Sequence, residues 1–525
     1  MWPLLVLVAL VAVLVASFAW GRCRALGLRD RLGLKGPPPN FFLGNFNELL
    51  AEDKRNNGLA ISPTVMEQWT KKYSENGTFA WYFGARHLQI TTSNLDLMKE
   101  VYIKQFNNFM DRRDKPMMDA YPESLSILFV SKANGWHQIR TLVSPSFTTG
   151  KLKVLSKIMD SKVERFIEVV TPRAESEEPF DIYLDFQALT LDVIARIALA
   201  IQADSLGDRN DPFYVRAREF FRSWGFQNSL ALKLAGFVPE LWPYLSWLHP
   251  FTKFGRIELQ FIADLSKVYE ERLKMKDKFQ RVDALQILIE ELHKEENRSE
   301  ELAQGKVALT REHVLANCLA YLLAGYETTS TALAHVAFML AKHPDVQARL
   351  QREIDDAFDE GIVDFNATAE LKYMDAVIKE TLRMLPPIKN FARKALRDTE
   401  ACGIRIPKGV WVTCNVDAVH RNPELWPEPD TFDPDRFMDG RDADQGPTRP
   451  QNPLSWVAFG LGPRHCVGLR FAELEMKRTL IAFLRRFTLT LPEELKDKPL
   501  RQRETQFLCR PMEVMVRLTK RDTQS

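Results

Sequence analysis

Residues 459–468 read FGLGPRHCVG and set Cys466 among three glycines, a proline and an arginine. Glycine and proline at this density make a turn, which is a poor place for a packed core thiol. Arg464, two positions ahead, favours a thiolate by charge attraction. The following LRFAELEMKRTLIAFLRRF carries Leu469, Ala472, Met476, Leu480, Phe483 and Phe487 at spacings of three and four, which predicts a helix. Cys466 then lies just before a helix N-terminus, where free N–H groups and the helix dipole also favour a negative sulfur. Local physics gives a stabilised thiolate. Whether it attacks or ligates has to come from the rest of the chain.

The chain has 525 residues, 45% of them hydrophobic, which is enough for one very large body or several ordinary domains. A net charge of +2 gives no pointer to nucleic acid. The six cysteines, Cys23, Cys318, Cys402, Cys414, Cys466 and Cys509, are scattered without a CxxC. That spacing argues against a disulfide framework and a structural zinc site, and for a reducing compartment. The first twenty residues, MWPLLVLVALVAVLVASFAW, hold no charged side chain. At about 1.5 Å per residue they are just long enough to cross a bilayer core. Arg22, Arg24, Arg29, Arg31 and Lys35 follow against one acid, Asp30, so the body is expected on the cytosolic side and the N-terminus in the lumen. A long apolar run without a basic lead argues against a cleaved signal peptide. The sequons at Asn76, Asn297 and Asn366 are then expected to stay empty.

This reading divides the chain into an anchor (1–21), a basic and proline-rich linker (22–39) and a body (40–525). KGPPPNFFLGN at the linker's end reads as a stiff hinge. FAWYFGARHLQITT (79–92) predicts a hairpin around Gly84, and IRIPKGVWVTCN (404–415) a second strand pair turning at Pro-Lys-Gly. The polar stretches 290–306 and 439–453 read as surface connections. The rest is helical in period, so the body is expected to be mainly α with a minor β component. The longest helix candidate starts at Thr310, with Glu312 in its first turn, and stops at Pro344. It is apolar nearly all round, as a central buried helix would be, yet AGYETTS (324–330) sets a glycine, an acid and three hydroxyls in its middle.

Four motifs belong together: F-x-x-G-x-R-x-C-x-G at Phe459, Gly462, Arg464, Cys466 and Gly468; AGYETT on the long helix; KETLR, giving Glu380 and Arg383; and FDPDRF, giving Arg436. In this order they resemble a cytochrome P450, a haem-thiolate monooxygenase, over essentially the whole chain. AGYETTS, KHPDVQARLQREID and LVSPSFTTGKLK are similar to the family-3 clan, the microsomal group that includes steroid- and drug-oxidising enzymes. The resemblance implies the cytochrome P450 fold behind a single N-terminal transmembrane helix.

It also implies a cofactor, haem b (iron protoporphyrin IX), with Cys466 as its metal ligand. Thiolate ligation favours O–O cleavage. Gly462 and Gly468 would let the backbone pass under the porphyrin, and Phe459 would shield the sulfur. Arg464, Trp136, Arg140 and Arg393 would serve the propionates, with Arg112 a weaker candidate beside Arg113. Ala324 and Gly325 would leave room for dioxygen, the co-substrate. Thr328 and Glu327 would be the catalytic pair that delivers protons. Glu380, Arg383 and Arg436 would clamp the cysteine segment as a structural network.

Partners implied are an NADPH-cytochrome P450 reductase, with cytochrome b5 as a further donor, a lipophilic small molecule and the endoplasmic reticulum membrane. The aromatic segment 236–251 is expected to dip into that membrane. Phe109, Phe391, Phe507 and Leu508 are the pocket candidates, and Lys477 and Arg478 are candidates for meeting an acidic reductase. Two rivals differ in class: a thiolate-haem peroxide isomerase, which could dispense with Thr328, and a haem-binding sensor without turnover.

Overall fold

The computed structural model of the chain describes residues 2–62, 64–113, 122–176, 178–199, 201–223, 246–275, 283–297, 308–358, 364–438, 452–504 and 508–521. Its axis is the helix Arg311–Lys342, whose 32 residues rise about 48 Å. Thr310 starts it, and its N–H donates to His313 Nδ1 at 3.1 Å. From His313 to Ala341 every residue is buried except Ala324, Gly325 and Thr328. The mid-helix break in polarity is therefore also a break in burial, which marks a cavity.

Helices Thr149–Ser176, Ile182–Leu199, Lys253–Met275, Ala284–Asn297, Lys372–Met384 and Leu469–Leu484 surround this axis. Their inward faces form one large apolar core. Ile182–Leu199 is buried on nearly every side, because it packs along the central helix and is covered in turn by Thr149–Ser176. Ala284–Asn297 takes up the first part of the polar stretch 290–306. The rest of that stretch, and most of 439–453, lie outside the described residues.

The β component is small, and the expected hairpin is present. Thr78–Phe83 pairs antiparallel with His87–Thr92, and Gly84 between them takes φ +62°. The second expected pair is not one hairpin. Ile404–Ile406 pairs with Thr399–Ala401, whereas Trp411–Asn415 lies parallel to His87–Thr92 and antiparallel to Asn390–Lys394. Trp411–Asn415 is buried at every position. A strand so enclosed needs partners on both edges, and a three-residue neighbour could not supply them.

The helix Trp2–Leu26 is long and apolar enough to cross a membrane, and its most apolar window is nowhere buried. It runs five residues past the expected boundary at 21. Arg22 lies inside it, with its guanidinium over the Phe18 ring at 4.8 Å and donating to the Phe42 carbonyl at 3.2 Å. The linker is docked on the body. Tyr82 Oη donates to the Leu26 carbonyl at 2.7 Å and accepts from the Arg29 N–H at 2.8 Å. Ala80 N–H donates to the Lys35 carbonyl at 2.8 Å, and a Cβ on Gly36 would stand 1.7 Å from Ala80 O.

Candidate active site around Cys466

The cysteine loop is held by its own backbone. Cys466 N–H donates to the Phe459 carbonyl at 2.9 Å, and His465 Nδ1 meets the Gly462 carbonyl at 3.0 Å. Gly462 takes φ +71°, and a Cβ there would sit 2.0 Å from the Tyr102 carbonyl oxygen. The close approach of Tyr102 requires the glycine. At Gly468 a Cβ would meet only ordinary contacts, the nearest at 3.7 Å. Gly462→Ala is thus expected to destabilise the folded chain by about 2–3 kcal/mol through backbone strain and overpacking. Gly468→Ala should do far less. Urea unfolding of the two variants checks the contrast.

Arg464 does not face the sulfur. Its guanidinium lies 5.1 Å from the centre of the Trp136 ring and donates to the Val130 carbonyl. The cations that act on Cys466 are Arg140 and Arg112, with a hydrogen bond from the Gly468 N–H. They are outweighed: burial pushes the Cys466 thiol up. A cation bound at the sulfur would supply the missing stabilisation, since a coordinating thiol is deprotonated outright.

Cys466 opens on a cavity of about 340 Å³. Trp136, Arg140, Ala324, Gly325, Thr328, Arg393, Phe459 and Arg464 line it too, as do Arg112 and Arg113. Arg112, Arg140, Arg393 and Arg464 act on one another as like charges. Burial and these neighbours push Arg112 down to about 9 and Arg464 down to about 8. Burial lowers Arg140 and Arg393 as well. Arg112 Nε, Arg393 Nε and Arg464 Nε and Nη1 are buried without a hydrogen-bond partner among the described residues. Unpaired buried guanidiniums are costly, so the cluster calls for an anion with several acceptor oxygens. Apolar walls, a cysteine sulfur and a nest of arginines are the donor set that a flat dianionic metal macrocycle requires.

The central helix meets the cavity at Ala324, Gly325 and Thr328. Thr328 Oγ1 donates to the Ala324 carbonyl at 2.5 Å. A Cβ on Gly325 would come within 2.9 Å of Ile194, so this glycine also admits the neighbouring helix. Glu327 does not line the cavity. It is fully buried on another face of the helix, where it accepts from Tyr183 Oη at 2.6 Å, Gln187 Nε2 at 3.0 Å and Arg510 Nη1 at 3.0 Å. The two members of the expected catalytic pair are thus parted by the helix wall.

Other expectations need correction. Phe109 packs in the core beside the four-stranded sheet and does not line the cavity, whereas Phe391 and Leu508 do. Phe507 lies outside the described residues. Lys477 and Arg478 point inward: Lys477 pairs with Asp375 at 2.8 Å, and Arg478 pairs with Asp160. Neither is a surface for a partner. Of the segment 236–251 the part through residue 245 is outside the described residues, but Trp247 and Phe251 stand 66% and 72% exposed on the turn that follows.

The structural network is assembled, and it reaches further than the motifs indicate. Arg383 grips Glu380 through Nε and Nη2 at 2.7 and 2.8 Å, and Arg436 Nε approaches Glu380 Oε1 at 3.4 Å. Arg383 Nη1 also donates to the carbonyls of His420 and Pro429, both at 2.8 Å. His420 continues the chain: its Nδ1 meets the Arg383 carbonyl at 3.2 Å, and its Nε2 accepts from the Val457 N–H at 2.9 Å. Val457 is two residues before Phe459, so His420 couples the network to the cysteine loop. As a lone histidine in AVHRNP it carried no signal in the sequence.

The pattern of the Cytochrome P450 family matches residues 34–518. The chain belongs to the cytochrome P450 family. It is 32% identical to Cytochrome P450 3A29 of Sus scrofa over 519 residues, covering 98% of this chain and 96% of the relative. It is also 32% identical to Cytochrome P450 3A6 of Oryctolagus cuniculus over 518 residues, covering 98% and 97%. To Cytochrome P450 3A5 of Homo sapiens it is 30% identical over 517 residues, covering 98% and 96%. This P450 is accordingly an oxidoreductase of the monooxygenase class, which uses haem and dioxygen. The cavity around Cys466 has the donor set for that cofactor.

Proposed function

We propose that the chain inserts one oxygen atom from dioxygen into a lipophilic substrate (a steroid, fatty acid or xenobiotic), using electrons from an NADPH-dependent reductase. The observation that carries this reading is that Cys466, five arginines and Thr328 share one mostly apolar cavity. Haem b, when bound, supplies the electron-accepting and oxygen-activating chemistry. Cys466 would be its sulfur ligand, and Arg112, Arg140, Arg393 and Arg464 would hold its propionates, with Trp136 packed beneath Arg464. Phe459 would shield the sulfur from water. The substrate would fill the apolar remainder near Phe391 and Leu508.

Thr328 carries the proton that the chemistry needs at the cavity wall. Its Oγ1–H is donated to Ala324 O and can turn into the cavity or order a water there. Glu327 would replenish that hydroxyl from behind the helix. An isomerase of peroxides has no need of this supply, and nor does a sensor. The helix Trp2–Leu26 would anchor the chain in the endoplasmic reticulum membrane, with the body, residues 40–525, in the cytosol. The exposed Trp247 and Phe251 would rest on the same membrane. Reductase, and cytochrome b5 as a further donor, would dock on the thiolate side.

The test is the carbon monoxide difference spectrum of the reduced, membrane-expressed protein. A strongly red-shifted Soret band is expected. A band typical of histidine or neutral-thiol ligation in well-folded protein would refute the reading. Thr328→Ala is expected to keep haem and the red-shifted band but to divert electrons to peroxide. Product and peroxide counted against NADPH consumed will show it.

A further inference from the structure

The relay acid poses a supply problem. Glu327 does not line the Cys466 cavity, so a proton that it hands to Thr328 has to be replaced from another side. A second cavity, of about 310 Å³, lies on the far side of the helix Ile182–Leu199. Arg173, Asp181, Asp185, Arg209, Tyr214 and Arg218 line it. The Arg173 and Arg209 side chains are 41% and 33% exposed, so the mouth is in contact with solvent. That space is ample for several waters.

The buried side of this cavity carries polar atoms in need of such waters. Tyr214 is fully buried, and its Oη has no hydrogen-bond partner among the described residues. Arg209 and Arg218 flank its ring, at 5.7 and 5.4 Å, and Arg209 also bears on the hydroxyl. Asp185 is 1% exposed; Arg209 binds its Oδ1, while its Oδ2 is unpartnered. An unsatisfied hydroxyl beside an unsatisfied carboxylate oxygen is a water site rather than a dry void.

One step further in stands Tyr326, fully buried on the central helix beside Glu327, and its Oη is also unpartnered. Its ring packs on Phe221 at 5.7 Å, and its electrostatic neighbours are Glu327, Tyr214, Tyr183 and Arg218. The last hydroxyl is already in place, since Tyr183 Oη donates directly to Glu327 Oε1 at 2.6 Å. Apolar packing had no need of hydroxyls at these three rings, because phenylalanine would fill the same space.

We infer that water in the second cavity feeds protons to Glu327 through Tyr214, Tyr326 and Tyr183, with bridging waters between the hydroxyls. Each hydroxyl passes its own proton inward and takes one from the water behind it. One proton enters from bulk water and one arrives at the Glu327 carboxylate. No electron moves, and every tyrosine ends as it began. Burial raises the pKa of all three phenols, which disfavours a tyrosinate at each of them. The three tyrosines are positioning residues, and the inference rests on Glu327 and Thr328 being the relay.

A high-resolution crystal structure of the holoenzyme tests the path without turnover. Ordered waters on Tyr214 Oη, Asp185 Oδ2 and Tyr326 Oη are expected; a dry cavity, or hydroxyls paired to other side chains, overturns the inference. Tyr214→Phe and Tyr326→Phe then remove one oxygen each and keep the ring. Both are expected to raise the peroxide yield per NADPH several-fold and to enlarge the solvent deuterium isotope effect on product formation, with the haem spectrum unchanged. If both behave as wild type while Thr328→Ala is uncoupled, the path is wrong and the relay stands. If Thr328→Ala itself stays coupled, the relay falls and the path with it.

Discussion

Glu380→Ala is expected to cost about 3–5 kcal/mol of stability. The carboxylate is fully buried and takes three donors: Arg383 in a two-point grip, the Asp433 N–H at 3.0 Å and, more loosely, Arg436. Removing it leaves two guanidiniums in the interior without a counter-charge. The loss should spread, because Arg383 also fastens the carbonyls of His420, Pro429 and Thr431. His420 in turn holds Val457, at the entrance to the cysteine loop. The variant should therefore lose haem as well as stability, read as the haem-to-protein ratio after gel filtration and as the midpoint of urea unfolding. Full haem retention with an unmoved midpoint would count against the network as a clamp.

The opposite sign is expected at Glu475. This carboxyl lies inside the helix Leu469–Leu484 with both oxygens buried and unpartnered among the described residues. Burial alone raises its pKa well above the ordinary 4.5. A group raised in the folded state stabilises at low pH, and that contribution is lost as the pH climbs. Each pH unit above 4.5 removes about 1.4 kcal/mol until the folded-state value is passed. Glu475→Met fills the space with an unbranched apolar chain and abolishes this loss. The variant should be more stable than wild type by on the order of 3 kcal/mol at pH 7. Its advantage should shrink as the pH is lowered toward 4.5. Urea unfolding at pH 5 and pH 7 decides it: an equal difference at both values would mean that the carboxyl is not held protonated.

What could be read in the sequence was whatever is local. The Cys466 loop, the long buried helix with its polar interruption and the Thr78–Thr92 hairpin each depend on residues within a few turns of one another. Orientation across the molecule was not legible. Glu327 and Thr328 are adjacent in AGYETT, but a helix sends neighbours about 100° apart. Arg510, Tyr183 and Gln187, far away in sequence, decide that Glu327 faces away from the cavity. Lys477 and Arg478 read as a solvated helix face until Asp375 and Asp160 arrive from other helices to bury them. Trp411–Asn415 was read as half of a hairpin because its true partners, at 87–92 and 390–394, are set by tertiary pairing. That the Tyr102 carbonyl, some 360 positions back in the chain, also requires a glycine at 462 was not legible.

The docked linker has a mechanical consequence. A flexible chain between anchor and body would act as a leash, letting the enzyme roll over the bilayer and present any face to it. Here Arg22, Arg29, Lys35 and Tyr82 bind the end of the first helix and its linker to the body, and Gly36 is pressed against the first strand. The joint is a bracket. Once the helix is in a bilayer, its tilt and azimuth pass directly to the catalytic body. The way to the cavity would then keep one bearing toward the lipid, and loosening the bracket should scramble that bearing without touching a single residue of the active site.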